Sequence, residues 1–198
     1  IQKAKKNHLP LGIITFEPLP VMFFNQKIKN HRINSLEQKK EHLKKLKLDF
    51  LIIIKFNKLF SSLSAEQFIK KIIYQKLKTK YVYVSKNFRF GKNRLGSIKT
   101  LKSKEKNYSY KTIITHPFKI SNQTISSTLI RKKISKGNLK SANNLLKRPW
   151  CIRGKVIKGK RRGRKIGFPT CNIRLFNYVI PKLGVYLLKR KNNNFNKN

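Results

Sequence analysis

Four short apolar runs recur in the first part of the chain: residues 11–16 (LGIITF), 49–56 (DFLIIIKF), 81–84 (YVYV) and 110–115 (YKTIIT). Each has a strand's length, and FLIII carries no polar alternation, as in a strand buried on both faces of a parallel sheet. The intervals read as helices. Ser35 with Gln38, and Ser64 with Gln67, match the capping box, in which a serine and a residue three later exchange hydrogen bonds with each other's backbone. Leu36, Leu43 and Leu46 mark the first of these helices. Phe68, Ile72 and Ile73 face inward on the second, which is expected to run to about Leu77. A weaker helical pattern covers 98–106, and clearer ones begin at Ser127 and span 139–147. Strands alternating with helices at this spacing predict an α/β domain with a mostly parallel sheet and right-handed crossovers.

Such sheets bind ligands at the carboxyl ends of their strands. Three unusual stretches fall there: 15–20 (TFEPLP), the Gly- and Arg-bearing loop 87–97, and 125–131 (ISSTLIR). In the last, Ser126, Ser127 and Thr128 precede an apolar ladder of Leu129, Ile130 and Ile134, and Gly137-Asn138 supplies a stop. Hydroxyls at a helix start cap free N–H groups, and those groups with the helix dipole attract anions. Arg131 lies one turn on and can fork onto phosphate oxygens. The stretch therefore reads either as a nucleotide-phosphate site or as an ordinary capped helix with an exposed arginine.

After Arg148-Pro149 the helical period stops. Residues 151–156, 171–175 and 184–188 read as short strands separated by Gly and Pro, the beginning of an all-β unit. Between the first two lies 159–167 (GKRRGRKIG), in which Gly159, Gly163 and Gly167 let backbone approach a phosphate and the basic side chains supply countercharge. Thr170 and Asn172 flank Cys171, so on a strand their oxygens share a face and could hold a magnesium-bound phosphate. A positively charged hairpin loop is the plainer alternative.

The formal charge is +43, from 38 Lys and 11 Arg against six acids. The lysines are spread along the whole chain, without the arginine-rich patch of a nucleic-acid reader. Salt-dependent, non-specific attraction to polyanions follows; a specific nucleic-acid partner does not. Two cysteines without a CxxC, and four histidines without metal spacing, point away from a disulfide framework or zinc site and towards a reducing, cytoplasmic setting. No apolar run has membrane-spanning length, so no membrane insertion is expected. Starting at Ile1 in what reads as the tail of a basic helix and finishing in Asn-rich low complexity, the chain is expected to be a fragment.

Taken together, these motifs resemble the bifunctional bacterial riboflavin kinase/FAD synthetase family along essentially the whole chain. TFEPLP is similar to its T-F-x-P-x-P loop, Asn87-Phe88-Arg89-Phe90-Gly91 to its D/N-F-x-F-G loop, ISSTLIR to its I-S-S-T-x-I-R motif. Gly167-Phe168-Pro169-Thr170-Cys171-Asn172 is similar to its G-F-P-T-A-N motif, followed by Gly184-Val185-Tyr186. The resemblance implies a Rossmann-like nucleotidyltransferase domain over 1–148 and the beginning of a riboflavin kinase β-barrel over 149–198. It implies ATP, riboflavin, FMN and FAD as small-molecule substrates and products, with Mg2+. Ser126, Ser127, Thr128 and Arg131 would hold ATP; Phe16, Pro18, Asn87 and Arg89 would line the flavin side. Gly159, Gly163, Gly167, Thr170 and Asn172 would bind ATP in the kinase, with Thr170 and Asn172 on the metal.

The family's G-x-F-D-G-x-H-x-G-H motif and its kinase carboxylate are not among the 198 residues. The catalytic groups are therefore expected outside this sequence, and little turnover is expected from it alone. Ser85 stands where the family often has Gly, Thr124 where a basic residue is common, and Cys171 where Ala is usual. A basic nucleic-acid-binding module and an inactive remnant are the alternatives.

Overall fold

A computed structural model describes residues 1–120, 123–159, 167 and 170–189. After a short helix α1 (Gln2–Lys6), strand β1 (Gly12–Glu17) pairs in parallel with β2 (Phe50–Lys55), from Gly12 opposite Phe50 to Glu17 opposite Lys55. The crossover carries α2 (Pro20–Phe24) and α3 (Leu36–Lys44). Strand β3 (Tyr81–Ser85) pairs in parallel with β4 (Lys111–Thr115). Between the pairs run α4 (Lys58–Ser61) and α5 (Ala65–Phe68), the latter continuing as a π-helix over Ile69–Lys76. A 3₁₀ turn (Lys92–Arg94) and α6 (Ile98–Ser103) join β3 to β4. Both expected capping boxes form. Ser35 and Ser64 each accept from the backbone N–H three residues on, while Gln38 and Gln67 reach back.

The strands form two separate two-stranded parallel sheets among the described residues, where the sequence pattern predicts one. A two-stranded pair has two open edges and cannot shield its apolar faces as a wide sheet does. Ile14, Ile53, Tyr83 and Ile114 accordingly remain more than a third exposed. The main core is built on β3, α5, the π-helix and α6. Phe68, Ile69, Ile72, Ile73, Val84, Phe90, Leu101 and Tyr110 are buried together there.

Tyr110 donates its hydroxyl to the Leu101 carbonyl at 2.6 Å. Burial, then the nearby Glu105 and Tyr108, push its pKa up to about 12. A raised folded-state pKa stabilises the fold below the ordinary tyrosine value near 10 and ceases to do so as pH rises towards 12. Alkaline melts should therefore show a loss of stability between these limits that Tyr110→Phe removes.

Residues 119–124 contribute a two-residue antiparallel pair, β5 (Lys119–Ile120) with β6 (Gln123–Thr124). Then α7 (Ser127–Ser135) and α8 (Leu139–Leu146) pack together around Ile130, Ile134 and Ala142, joined by Val179. Among the described residues after 149, the expected barrel start appears as a two-residue antiparallel pair, β7 (Val156–Ile157) with β8 (Asn172–Ile173). Residues 184–188 form no strand. A strand needs a ladder partner, and Val185 and Leu187 stand fully exposed.

All six carboxylates in the chain are engaged in the fold. Glu17, Glu37, Glu41 and Glu66 pair with Arg32, Lys40, Arg153 and Lys104. Asp49 and Glu105 accept backbone N–H groups of Leu11 and Thr112. Among the described residues no helix is long and apolar enough to cross a membrane.

Candidate functional site

Ser126 is the N-cap of α7, its Oγ accepting the Leu129 N–H at 3.1 Å. Ser127 and Thr128 occupy the first turn, exposed, with helix-start N–H groups that have no intrahelical acceptor. Arg131 returns over that turn and donates to Thr128 Oγ1 at 3.2 Å. The guanidinium is partly buried, which lowers its pKa from the ordinary value. Ile130 and Ile134 anchor the opposite face of the helix. A partly dehydrated guanidinium, two hydroxyls and free N–H groups thus share one turn, a donor set suited to phosphate oxygens.

The other predicted residues of the first domain lie around β1 and the loop after β3. Phe16 packs against Phe56 and Phe60, both at 5.6 Å between ring centres. Phe60 meets Phe68 at 6.2 Å, Phe68 meets Phe90 at 5.4 Å, and Phe90 stacks on Phe88. A continuous aromatic floor therefore links the loop after β1 to the loop after β3. Pro18, Asn87 and Arg89 are exposed. Gly91 holds the second loop in place. Its φ is +73°, and a Cβ there would come within 2.6 Å of the Ala65 backbone nitrogen. Glu17 is ion-paired with buried Arg32, and Lys39 donates to Thr15 Oγ1 at 2.9 Å. His31, beside Arg32, has a lowered pKa, through burial first and then through the charge of Arg131. Arg131 is thus close enough to His31 for its charge to be felt there.

In the C-terminal part, Asn172 opens β8 and Thr170 lies just before it, both exposed. A Cβ on Gly159 would come within 2.0 Å of Asn172 Nδ2, so the missing side chain makes room for that amide. Gly167 has φ +82°. Gly163 lies outside the described residues. Among those residues no group of three or more His, Cys, Asp or Glu side chains could hold a metal ion. Thr170 and Asn172 offer neutral oxygen donors, which suit magnesium when phosphate supplies the remaining ligands.

Sequence reasoning missed the seam between the two parts. Gln38 donates to the Cys151 carbonyl at 2.9 Å and accepts from the Tyr178 hydroxyl at 2.8 Å. Arg153 forks onto Glu41, and the Trp150 indole donates to the Ile33 carbonyl at 2.8 Å. Gln38 was legible as a capping partner. Its second set of bonds, to residues more than 110 positions away, leaves no local pattern.

The parallel strand pairs with their crossover helices place the chain among α/β proteins, with an anion-suited helix start at α7. The chain belongs to the FAD synthetase family, whose model matches residues 1–129, and residues 146–196 match the riboflavin kinase family. Proteins named bifunctional riboflavin kinase/FMN adenylyltransferase are similar to it. That of Buchnera aphidicola from Schizaphis graminum is 41% identical over 94% of this chain and 60% of its own length. The Haemophilus influenzae protein is 37% identical over 95% of this chain and 61% of its own. That of Escherichia coli K12 is 32% identical over 95% and 60%. A solved structure described as a macrolide-efflux protein from Streptococcus pneumoniae superposes with a TM-score of 0.75 at 30% identity, covering 93% of this chain and 60% of its own. The chain thus spans about 60% of the length of these curated relatives.

Proposed function

We propose that this chain carries parts of two phosphoryl-transfer sites of FAD biosynthesis. In the first, a phosphate oxygen of FMN attacks the α-phosphorus of ATP; the bond from that phosphorus to the bridging oxygen breaks, giving FAD and pyrophosphate. In the second, the terminal ribityl hydroxyl of riboflavin attacks the γ-phosphorus of ATP, losing its proton and releasing ADP. The observation that carries the reading is the shared turn of Ser126, Ser127, Thr128 and Arg131, with its exposed hydroxyls, helix-start N–H groups and partly buried guanidinium. Chemistry of this kind depends on alignment and charge neutralisation more than on covalent help from the protein. The α7 start would hold ATP phosphates, and Phe16, Pro18, Asn87 and Arg89 would hold the flavin.

For the kinase, Thr170 and Asn172 are the proposed metal-side residues, with Gly159, Gly163 and Gly167 shaping the ATP loop. Bound Mg2+ would neutralise charge on the transferring phosphate. The oxygen donors fit it, and the room left at Gly159 for the Asn172 amide supports that pairing. The setting we propose is cytoplasmic, with small molecules as the partners.

The direct test incubates the protein with FMN, ATP and magnesium and looks for FAD, alongside equilibrium binding of FMN and ATP. Quenching of FMN fluorescence that persists at moderate salt is the expected result. The +43 charge favours a second reading, general polyanion binding. Affinity for RNA that collapses between low and moderate salt, with no flavin quenching, would replace the first reading with that one.

A further inference from the structure

Arg32 stands where three parts of the chain meet. Its backbone N–H donates to the Asn177 carbonyl at 2.7 Å, and its own carbonyl accepts the Val179 N–H at 2.9 Å. Its side chain, only 8% exposed, donates to Glu17 Oε1. Glu17 is the residue between Phe16 and Pro18. Its second carboxylate oxygen is buried with no hydrogen-bond partner among the described residues, so Arg32 is the carboxylate's hydrogen-bonding anchor there.

We propose that Arg32 is a positioning residue through which docking of residues 177–179 sets the placement of Phe16 and Pro18. This deepens, and rests on, the flavin-side reading of residues 15–20. The backbone of Arg32 is fixed by the C-terminal segment and its guanidinium fixes Glu17, so a shift at one end is carried to the other through one residue. Helix α3 supplies a parallel route. Gln38 holds the Tyr178 hydroxyl while the adjacent Lys39 holds Thr15 Oγ1. Gln38 and Tyr178 are 3% and 1% exposed, so their bond is not shared with water, and Lys39 and Thr15 are half-buried. Contacts fixed at both ends by buried polar groups leave few alternative arrangements, which is the condition for positional coupling. Binding at the first candidate site is therefore conditional on the seating of the segment that carries the second.

The test is amide hydrogen exchange on the 198-residue chain, comparing peptides over 12–20 with peptides over 81–85 and 111–115. In Tyr178→Ala, exchange over 12–20 should rise at least about tenfold while the β3–β4 peptides stay unchanged. Glu17→Gln, which breaks the Arg32 route alone, should loosen 12–20 in the same way, and adding it to Tyr178→Ala should give no further rise, because unseating 177–179 already releases Arg32. Should Tyr178→Ala fail to fold, Glu17→Gln, which cuts only the Arg32 route, should still give about a threefold rise over 12–20, and Tyr178→Phe, which cuts only the α3 route, a smaller one. Unchanged exchange over 12–20, or an equal rise over 81–85 and 111–115, overturns the coupling. FMN titration of the unaltered chain separates the two claims. Absence of quenching overturns the flavin reading of 15–20, while the exchange result alone decides whether Arg32 couples the two parts.

Discussion

Replacing Arg131 with alanine should weaken ATP binding by about tenfold to a hundredfold, the worth of one or two charge-assisted hydrogen bonds at about 1.5–3 kcal/mol in total. The guanidinium spends one donor on Thr128 Oγ1 and has no other hydrogen-bond partner among the described residues, so the rest of its planar fork can serve an oxyanion. Partial burial has already removed some of its water, so a phosphate displaces less solvent than it would at an open surface. Arg131→Lys keeps the charge but loses the fork, and should fall between wild type and alanine. Lys132→Ala, on the exposed face of the same helix, should leave ATP affinity within about twofold, since a solvated, screened charge contributes little. The melting temperature should barely move in any of the three, because Arg131 has no ion-pair partner whose loss would strand a buried charge. Isothermal titration with ATP and with a short RNA gives the contrast. Loss of one positive charge from a surface carrying +43 should hardly change RNA affinity. Equal weakening of both ligands would mean that the α7 start is only part of a general basic surface.

What could be read in advance was whatever is written locally. Ser35–Gln38 and Ser64–Gln67 form their boxes because both partners lie within one turn, and the four strands appear where FLIII-like runs place them. The turn holding Ser126, Thr128 and Arg131 was legible for the same reason. Nothing local marks Arg32. It sits in a polar stretch between helices, and its partners Glu17, Asn177 and Val179 become neighbours only through the tertiary fold. The π-helix over Ile69–Lys76 was also invisible, since its apolar pattern serves an α-helix equally well. The division into two sheets could not be foreseen either, because each strand's composition suits a central position and pairing order is set by long-range contacts. Of the expected barrel strands, parts of two pair as β7 and β8, while 184–188 forms none among the described residues. Alternation in 184–188 signals a strand only if a neighbouring backbone is present to receive it.

The largest loss of stability is expected from Ile134→Ala. Its side chain is fully buried against Ile130, Ala142 and Val179, with Ile33 and Trp150 at the margin. Removing a buried isoleucine down to alanine costs about 2–5 kcal/mol, according to how far the site collapses into the gap. This cluster is small and draws on α7, α8, the residues before α3 and the C-terminal segment, so it has little spare contact to close the cavity. It also shares none of its buried residues with the Phe68–Tyr110 core, which should survive the substitution. Ile134→Ala should therefore melt in two steps. The α7–α8 unit and residues 177–179 should be lost first, and the β3–β4 unit should melt near its original temperature. Leu101→Ala is the matched control, a fully buried side chain in the other cluster with a comparable expected cost. Below the first transition, Ile134→Ala should already show weakened ATP binding, since the helix bearing Thr128 and Arg131 has lost its anchor, whereas Leu101→Ala should bind ATP normally. Differential scanning calorimetry with and without ATP measures both effects. A single cooperative transition in Ile134→Ala, with ATP raising its midpoint as much as in wild type, would show that the two clusters fold as one unit and that the α7 start does not depend on its local packing.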